Sequence, residues 1–283
     1  MTSQPAVPPT ADQVTDYYGA LGPLLQMAWG DNFHFGYWDG PSDTSSPAEA
    51  TDRFTDLLVE RLRVGVGDRV LDVGCGIGRP ALRLASTTGA GVLGVTISRQ
   101  QVEQASELAR VEGVSDQVSF EYADGMDMPF EADSFDAVLA FESIVHMDRA
   151  IALREMTRVL KPGGRVVLTD VFTVSDDASD SPSSGATDET SRKTDGPDIS
   201  SWLKGIDDYP ALVAGANLVL DELIDVTKNI EGTFPRMIDG FLKHRKEFER
   251  KHGMTLEQVF DTGALQPNTP AAAGCLVMVA HKP

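Results

Sequence analysis

Cysteine is nearly absent from this sequence, with two residues among 283. Cys75 and Cys275 stand too far apart to form a zinc-ligand motif, so no metal is expected. Long apolar runs are missing too. None approaches the roughly 18 residues that a membrane span takes, and no bilayer partner is expected. The opening residues, MTSQPAVPPTADQ, lack both the basic patch and the apolar stretch of a secretory signal. With so few cysteines, this predicts a reduced, cytoplasmic protein. Positive charge is scarce: 24 Lys and Arg face 43 Asp and Glu, a net charge of −19. An enzyme acting on DNA or RNA needs a basic surface to neutralise phosphates, so nucleic acid is excluded as the expected partner. The densest basic run, Lys243 to Lys246, is followed at once by Glu247 and reads as a solvated helix face.

What is present is ordinary globular material, 41% hydrophobic and 24% charged. Residues 1–13 are rich in Pro, Thr and Ala and are expected to be a flexible tail. From Val14 to Trp29 apolar residues recur at helical spacing, with an interruption at Gly22-Pro23. An aromatic-dense loop, NFHFGYW at 32–38, leads to a helix over 47–62. Short apolar runs at 69–73, 91–97, 118–122, 135–140 and 165–170 then alternate with helical patterns at 79–87, 99–112 and 148–159. Strands alternating with such helices predict a parallel sheet covered on both faces. Residues 174–200 are Ser-, Asp- and Thr-rich and cannot bury enough to offset their ordering entropy. They are expected to be a flexible insertion, with a substrate lid as its functional alternative. Beyond it, the pattern predicts a helix over 207–216, a strand over 218–226, a long amphipathic helix over 234–251 and a last strand over 274–281. The last of these helices carries Phe234, Met237, Ile238, Phe241 and Phe248 on one side. The expected organisation is one α/β domain over 14–283, with residues 14–62 as a helical cap.

Three stations along this pattern suit a nucleoside ligand. At 71–78, LDVGCGIG, a strand runs into a glycine-rich turn that lets a ligand approach the backbone. Asp72 precedes the glycines, where a carboxylate can hold an ammonium group, whereas an anionic pyrophosphate would avoid it. The second strand ends at Thr96 with no Asp or Glu for a ribose, which speaks against a nicotinamide dinucleotide. Thr96 and Gln101 would supply the polar contacts instead. The third strand is followed by Ala123, Asp124 and Gly125, where a carboxylate can accept an adenine N–H.

These stations, together with ESIVHM at 142–147 and LKPGG at 160–164, resemble the class I S-adenosylmethionine-dependent methyltransferases. The likeness is greatest to the small-molecule branch with the sterol methyltransferases and the rebeccamycin-type sugar O-methyltransferases of actinobacterial natural products. It spans nearly the whole chain and is weakest over 174–270. The resemblance implies a Rossmann-like fold with a mostly parallel, seven-stranded sheet. It implies S-adenosylmethionine as cofactor and S-adenosylhomocysteine as product. It also implies that Gly74 and Gly76 pack against the methionine and ribose, with Asp72 nearby, and that Thr96, Ile97 and Gln101 meet the ribose. Ala123, Asp124 and Gly125 would hold the adenine. Tyr18 and Trp29 would close the cofactor from the cap, and His146 would line its methyl-bearing end.

Methyl transfer from a sulfonium needs alignment above all, and a hydroxyl acceptor also needs a base within reach. His146, at the mouth of the fourth strand, is the candidate base, and Asp170, at the end of the fifth, the candidate group to orient it. Related sugar O-methyltransferases carry two adjacent histidines; here Val145 takes the first place. A hydroxyl and an amine therefore both remain open as acceptor in a small natural-product intermediate. Phe33, Tyr37 and Phe141 are expected to wall the acceptor pocket, within a larger aromatic group with Phe35 and Trp38. C-methylation or a cyclisation without methyl transfer is the alternative on the same fold, and a nicotinamide-dependent oxidoreductase a more distant one. Monomer and homodimer are both compatible with the sequence.

Overall fold

The computed structural model describes residues 9–173, 203–259 and 273–283. The insertion expected at 174–200, the lid alternative with it, and residues 1–8 of the expected tail lie outside the described residues.

Helix α1 (Ala11–Ala28) begins earlier than its periodicity predicts. The Thr10 side chain accepts from the Gln13 amide and Gln13 caps Thr10 in return, a reciprocal box that recruits residues 11–13 into the first turn. The interruption expected at Gly22-Pro23 does not occur, and Pro23 sits inside the helix. Pro23 forgoes one backbone bond, which the buried Leu21, Leu24 and Leu25 around it offset through packing. Helix α2 (Pro47–Leu62) carries its own box between Ser46 and Glu49 and buries Phe54, Leu58 and Leu62.

The sheet contains β1 (Arg69–Val73), β2 (Gly91–Thr96), β3 (Val118–Tyr122), β4 (Phe135–Ala140), β5 (Leu160–Thr173), β6 (Lys204–Gly205), β7 (Val219–Asp225) and β8 (Ala273–His281). Its order is β3-β2-β1-β4-β5-β8-β7, with the two-residue β6 beside β5, so one short strand adds to the seven expected. Strands β1 to β5 are parallel, and β8 runs antiparallel between β5 and β7. Helices α3 (Arg79–Thr88), α4 (Arg99–Glu112) and α5 (Arg149–Val159) make the crossovers, and α6 (Tyr209–Gly215) precedes β7.

Side-chain alternation sends one set of strand residues to each face. Val70, Val92, Leu139 and Val167 pack with residues of α2, α3 and α4, whereas Leu71, Val138, Val166 and Leu168 pack with residues of α5 and α6. A third cluster lies in the cap, where α1 meets α8 (Thr233–His252) after the one-turn α7 (Thr227–Ile230). The short α9 (Leu256–Val259) closes that cluster. Of the apolar side predicted for α8, Met237, Phe241 and Phe248 are buried, while Phe234 and Ile238 are exposed.

From β1 the chain winds one way to β2 and β3 and the other way to β4 and β5. The crevice between those directions, at the carboxyl ends of β1 and β4, is where open α/β sheets bind ligands.

Candidate active site

One cavity occupies that crevice. Its open space, counted together with the solvent at its mouth, is about 1140 Å³.

The floor begins at β1. Asp72 is 1% exposed, and its Oδ2 has no hydrogen-bond partner among the described residues. Burial pushes its carboxyl up to about 7. After β1, Gly74, Gly76 and Gly78 all adopt left-handed backbone, at φ 77°, 55° and 88°. The two close neighbours have different reasons for being glycine. A Cβ on Gly74 would lie 2.2 Å from the Ser143 Cβ, because the chain leaving β4 presses against the turn. A Cβ on Gly76 would meet nothing within 4 Å, so there the missing side chain leaves room for a ligand.

At the end of β2 the Thr96 hydroxyl donates to Gln101 Oε1 at 2.6 Å, while Ser98 caps α4. Thr96, Ile97, Ser98 and Gln101 line the cavity together. Past β3, Asp124 accepts the Met126 amide with Oδ1 at 2.9 Å. Gly125 is pinned between Val73 and Met147, and Ala123, Asp124 and Gly125 all line the same cavity.

On the far side of β1, the end of β4 contributes Phe141, Glu142, Ser143 and the turn that carries His146. Ser143 donates to the Val73 carbonyl at 2.5 Å, which sews this turn to β1. Tyr18, reaching in from α1, is 3.1 Å from His146 Nε2 and meets its ring edge-on at 5.7 Å. Desolvation, helped by the nearby Arg149 charge, lowers His146 to about 4, so its ring is neutral near pH 7. In the Nδ1–H tautomer of this neutral ring, the Tyr18 hydroxyl donates and Nε2 accepts. Burial pushes the Tyr18 hydroxyl far up, with the Tyr17 and Glu142 charges adding to it.

Three residues expected at the site are elsewhere. Asp170 is fully buried in β5, and its carboxylate is held by Arg149, Nε to Oδ2 at 2.5 Å and Nη2 to Oδ1 at 3.0 Å. The Tyr209 hydroxyl and the Val171 amide donate to it as well. A bidentate guanidinium and two further donors leave it no role as the partner of His146. Trp29 lies in the cap core, 6.4 Å from Trp38, with its indole N–H donated to the His34 carbonyl. Tyr37 packs on Phe54 beneath the cap rather than lining the cavity. In each case packing within the cap or sheet claims a side chain that spacing alone could not direct.

Conversely, two lining residues escaped the reading of the sequence. His34 stacks on Phe141 at 3.9 Å, with Nδ1 2.8 Å from the Phe35 carbonyl, and burial lowers it to about 4. Glu142 stands at φ 50°, in the left-handed region that a residue with a Cβ seldom occupies. Its Oε1 accepts the Phe35 amide at 2.8 Å, and burial pushes its carboxyl up to about 8. Only its place in the ESIVHM run hinted at the site. Phe33 and Phe141 complete the apolar wall.

Among the described residues, no group of three His, Cys, Asp or Glu is arranged to hold a metal ion. No helix among them is long and apolar enough to cross a membrane.

Residues 71–168 match the family model described as a methyltransferase domain. The chain is 45% identical over 233 residues to methyltransferase GfsG of Streptomyces halstedii, covering 81% of each protein. It is 47% identical over 167 residues to 27-O-demethylrifamycin SV methyltransferase of Amycolatopsis mediterranei, which spans 59% of this chain and 61% of the relative. Among solved structures, the [4+2]-cyclase SpnF is 30% identical, superposes with a TM-score of 0.80 and covers 99% of both chains.

Proposed function

The chain belongs to the S-adenosylmethionine-dependent methyltransferases, and on that premise we propose that it methylates a hydroxyl group of a small secondary metabolite, as in antibiotic tailoring. The observation that carries this reading is the Tyr18–His146 hydrogen bond, which lies in one cavity with the orphaned carboxylate oxygen of Asp72.

The residues present fit the cofactor. A buried oxygen without a partner is costly unless a ligand satisfies it, and Asp72 is suited to the amino-acid ammonium. Gly76 leaves space for the chain of that amino acid. Thr96, Ile97 and Gln101 suit the ribose, and Ala123, Asp124 and Gly125 the adenine. When bound, S-adenosylmethionine supplies a methyl group on a sulfonium, with a neutral thioether as leaving group.

The chain's own contribution is alignment, exclusion of water and handling of one proton. Phe33, Phe141 and the stacked His34 form an apolar wall that desolvates the acceptor. The Tyr18 oxygen, its proton donated to His146, accepts the acceptor's O–H. The acceptor proton moves to Tyr18 as the Tyr18 proton moves to Nε2. Neutral His146 is ready to receive it, and its low affinity lets the proton leave again. A relay of this kind is needed by a hydroxyl more than by an amine, and the two relatives above include one named for an O-demethylated substrate.

Incubation with S-adenosylmethionine and candidate hydroxylated metabolites tests the proposal, read as a gain of one methyl by mass spectrometry and equimolar S-adenosylhomocysteine. The likeness to SpnF along 99% of both chains favours a second reading, a cyclisation with the cofactor site retained. In that case the acceptor is consumed without S-adenosylhomocysteine accumulating.

A further inference from the structure

The stations around the cavity follow the order of the strands. Asp124 stands at β3, Thr96 at β2, Asp72 at β1 and Glu142 at β4. Glu142 is therefore the next carboxyl beyond the amino-acid station, on the side of Tyr18 and His146. Its setting is built rather than incidental. The backbone is held in the left-handed region by a bond from the Glu142 amide to Thr169 Oγ1 at 2.9 Å, and among the described residues the carboxyl has one hydrogen-bond partner, the Phe35 amide. The titratable groups around it are Tyr18 on α1, His34 in the cap loop, Asp72 on β1, His146 on the following turn and Cys275 on β8. None of these carries a positive charge near neutral pH. Arg79, the one cation lining the cavity among the described residues, is engaged by Asp31 and Glu112.

Resting on the cofactor reading above, we propose that Glu142 is the charge partner of the sulfonium: protonated in the empty cavity, it ionises when S-adenosylmethionine binds and regains a proton when the sulfur becomes neutral.

Burial supports the first half, since desolvation holds the carboxyl at about 8 against the lowering effect of the Phe35 amide. The second half balances the reaction. The S–CH3 bond breaks, an O–CH3 bond forms, and the proton lost by the acceptor hydroxyl ends on Glu142 after passing through Tyr18 and His146. A cationic sulfur and an ionised carboxylate both become neutral in one turnover, so the buried cavity gains no net charge. His146, held near 4, relays the proton but does not keep it. Glu142 is suited to keep it until product leaves.

The test compares two ligands that share their amino-acid and nucleoside groups and differ in the sulfonium charge. Calorimetric titration of the full chain with S-adenosylmethionine and with S-adenosylhomocysteine, near pH 7 in two buffers of unlike ionisation enthalpy, counts protons exchanged per site. A carboxyl at about 8 is roughly 90% protonated at about pH 7, so the sulfonium ligand is expected to release close to one proton more than the thioether. Glu142→Gln is expected to bind both and lose the difference. In the wild-type chain near pH 9, where Glu142 is already ionised, the difference should also shrink, which replaces the variant if it fails to fold. Equal proton counts near pH 7, or a difference that survives Glu142→Gln or the higher pH, would overturn the proposal. Failure of either ligand to bind would overturn the cofactor reading itself, and this one with it.

Discussion

Asp72 sits where function and stability conflict, and Asp72→Asn separates the two. In the unfolded chain this carboxyl titrates at its ordinary 3.8, whereas in the folded protein burial moves it to about 7. Between those values the folded state binds the extra proton, so the stability contributed by Asp72 falls as pH rises from about 4 to about 7 and is level above that. At about 1.36 kcal/mol per pH unit, the buried charge costs the ligand-free protein on the order of 4 kcal/mol above neutrality. Asparagine removes the charge but leaves a buried polar group short of partners, which returns about 1–3 kcal/mol of that cost. The net gain is then about 1–3 kcal/mol, or several degrees of melting temperature at roughly 2–4 °C per kcal/mol. The gain should be complete near pH 8 and turn into a loss of about 1–3 kcal/mol near pH 4, where the charge cost is gone and the asparagine penalty is left, as thermal melts of both proteins without ligand would reveal. Binding should move the other way. Losing a charge-assisted bond of about 1.5–3 kcal/mol weakens S-adenosylmethionine by roughly tenfold to hundredfold in calorimetry. A variant no more stable than wild type near pH 8, or one with unchanged cofactor affinity, would refute the assignment.

Gly74→Ala and Gly76→Ala should diverge although both glycines are left-handed. The first forces a Cβ into Ser143 and should lower the melting temperature severely, while the second costs only about 1–2 kcal/mol of backbone strain yet blocks the cofactor, as melts and calorimetry together would record. His146→Ala should reduce turnover of a hydroxyl acceptor by about 10²–10⁴ with cofactor affinity little changed. In the wild-type protein saturated with S-adenosylmethionine, where Asp72 and Glu142 are already ionised, kcat/KM for the acceptor should show no loss through the ordinary histidine value of 6.5, because His146 must be neutral to accept a proton and stays so down to about 4. An inflection near 6.5 would contradict the buried, neutral ring. Asp170→Asn should destabilise the fold by about 3–5 kcal/mol in denaturant titration, since it leaves the Arg149 guanidinium buried without its carboxylate.

Much of this protein was legible in the amino-acid order alone. The bounds of α2, β1, α4, β3 and β4 coincide with their patterns, because each alternation or helical stripe matches a face that the sheet buries. The LDVGCGIG turn, Thr96 with Gln101, and Asp124 with Gly125 share one cavity because each directly follows a parallel strand, and parallel strands bring their carboxyl ends to one edge. Other features are properties of no single segment. Trp29 and Tyr37 look like ligand-facing aromatics in a local reading, yet contacts from Trp38 and Phe54 turn them into core. Asp170 ends a strand as a catalytic partner would, but Arg149 and Tyr209, close only in space, take its carboxylate first. Glu142 gains its left-handed backbone, its Phe35 partner 107 residues away and its raised proton affinity from burial beneath the cap. Local pattern determines which backbone edge is presented to a ligand; the competition among distant side chains for the same buried space decides which groups remain free to meet it.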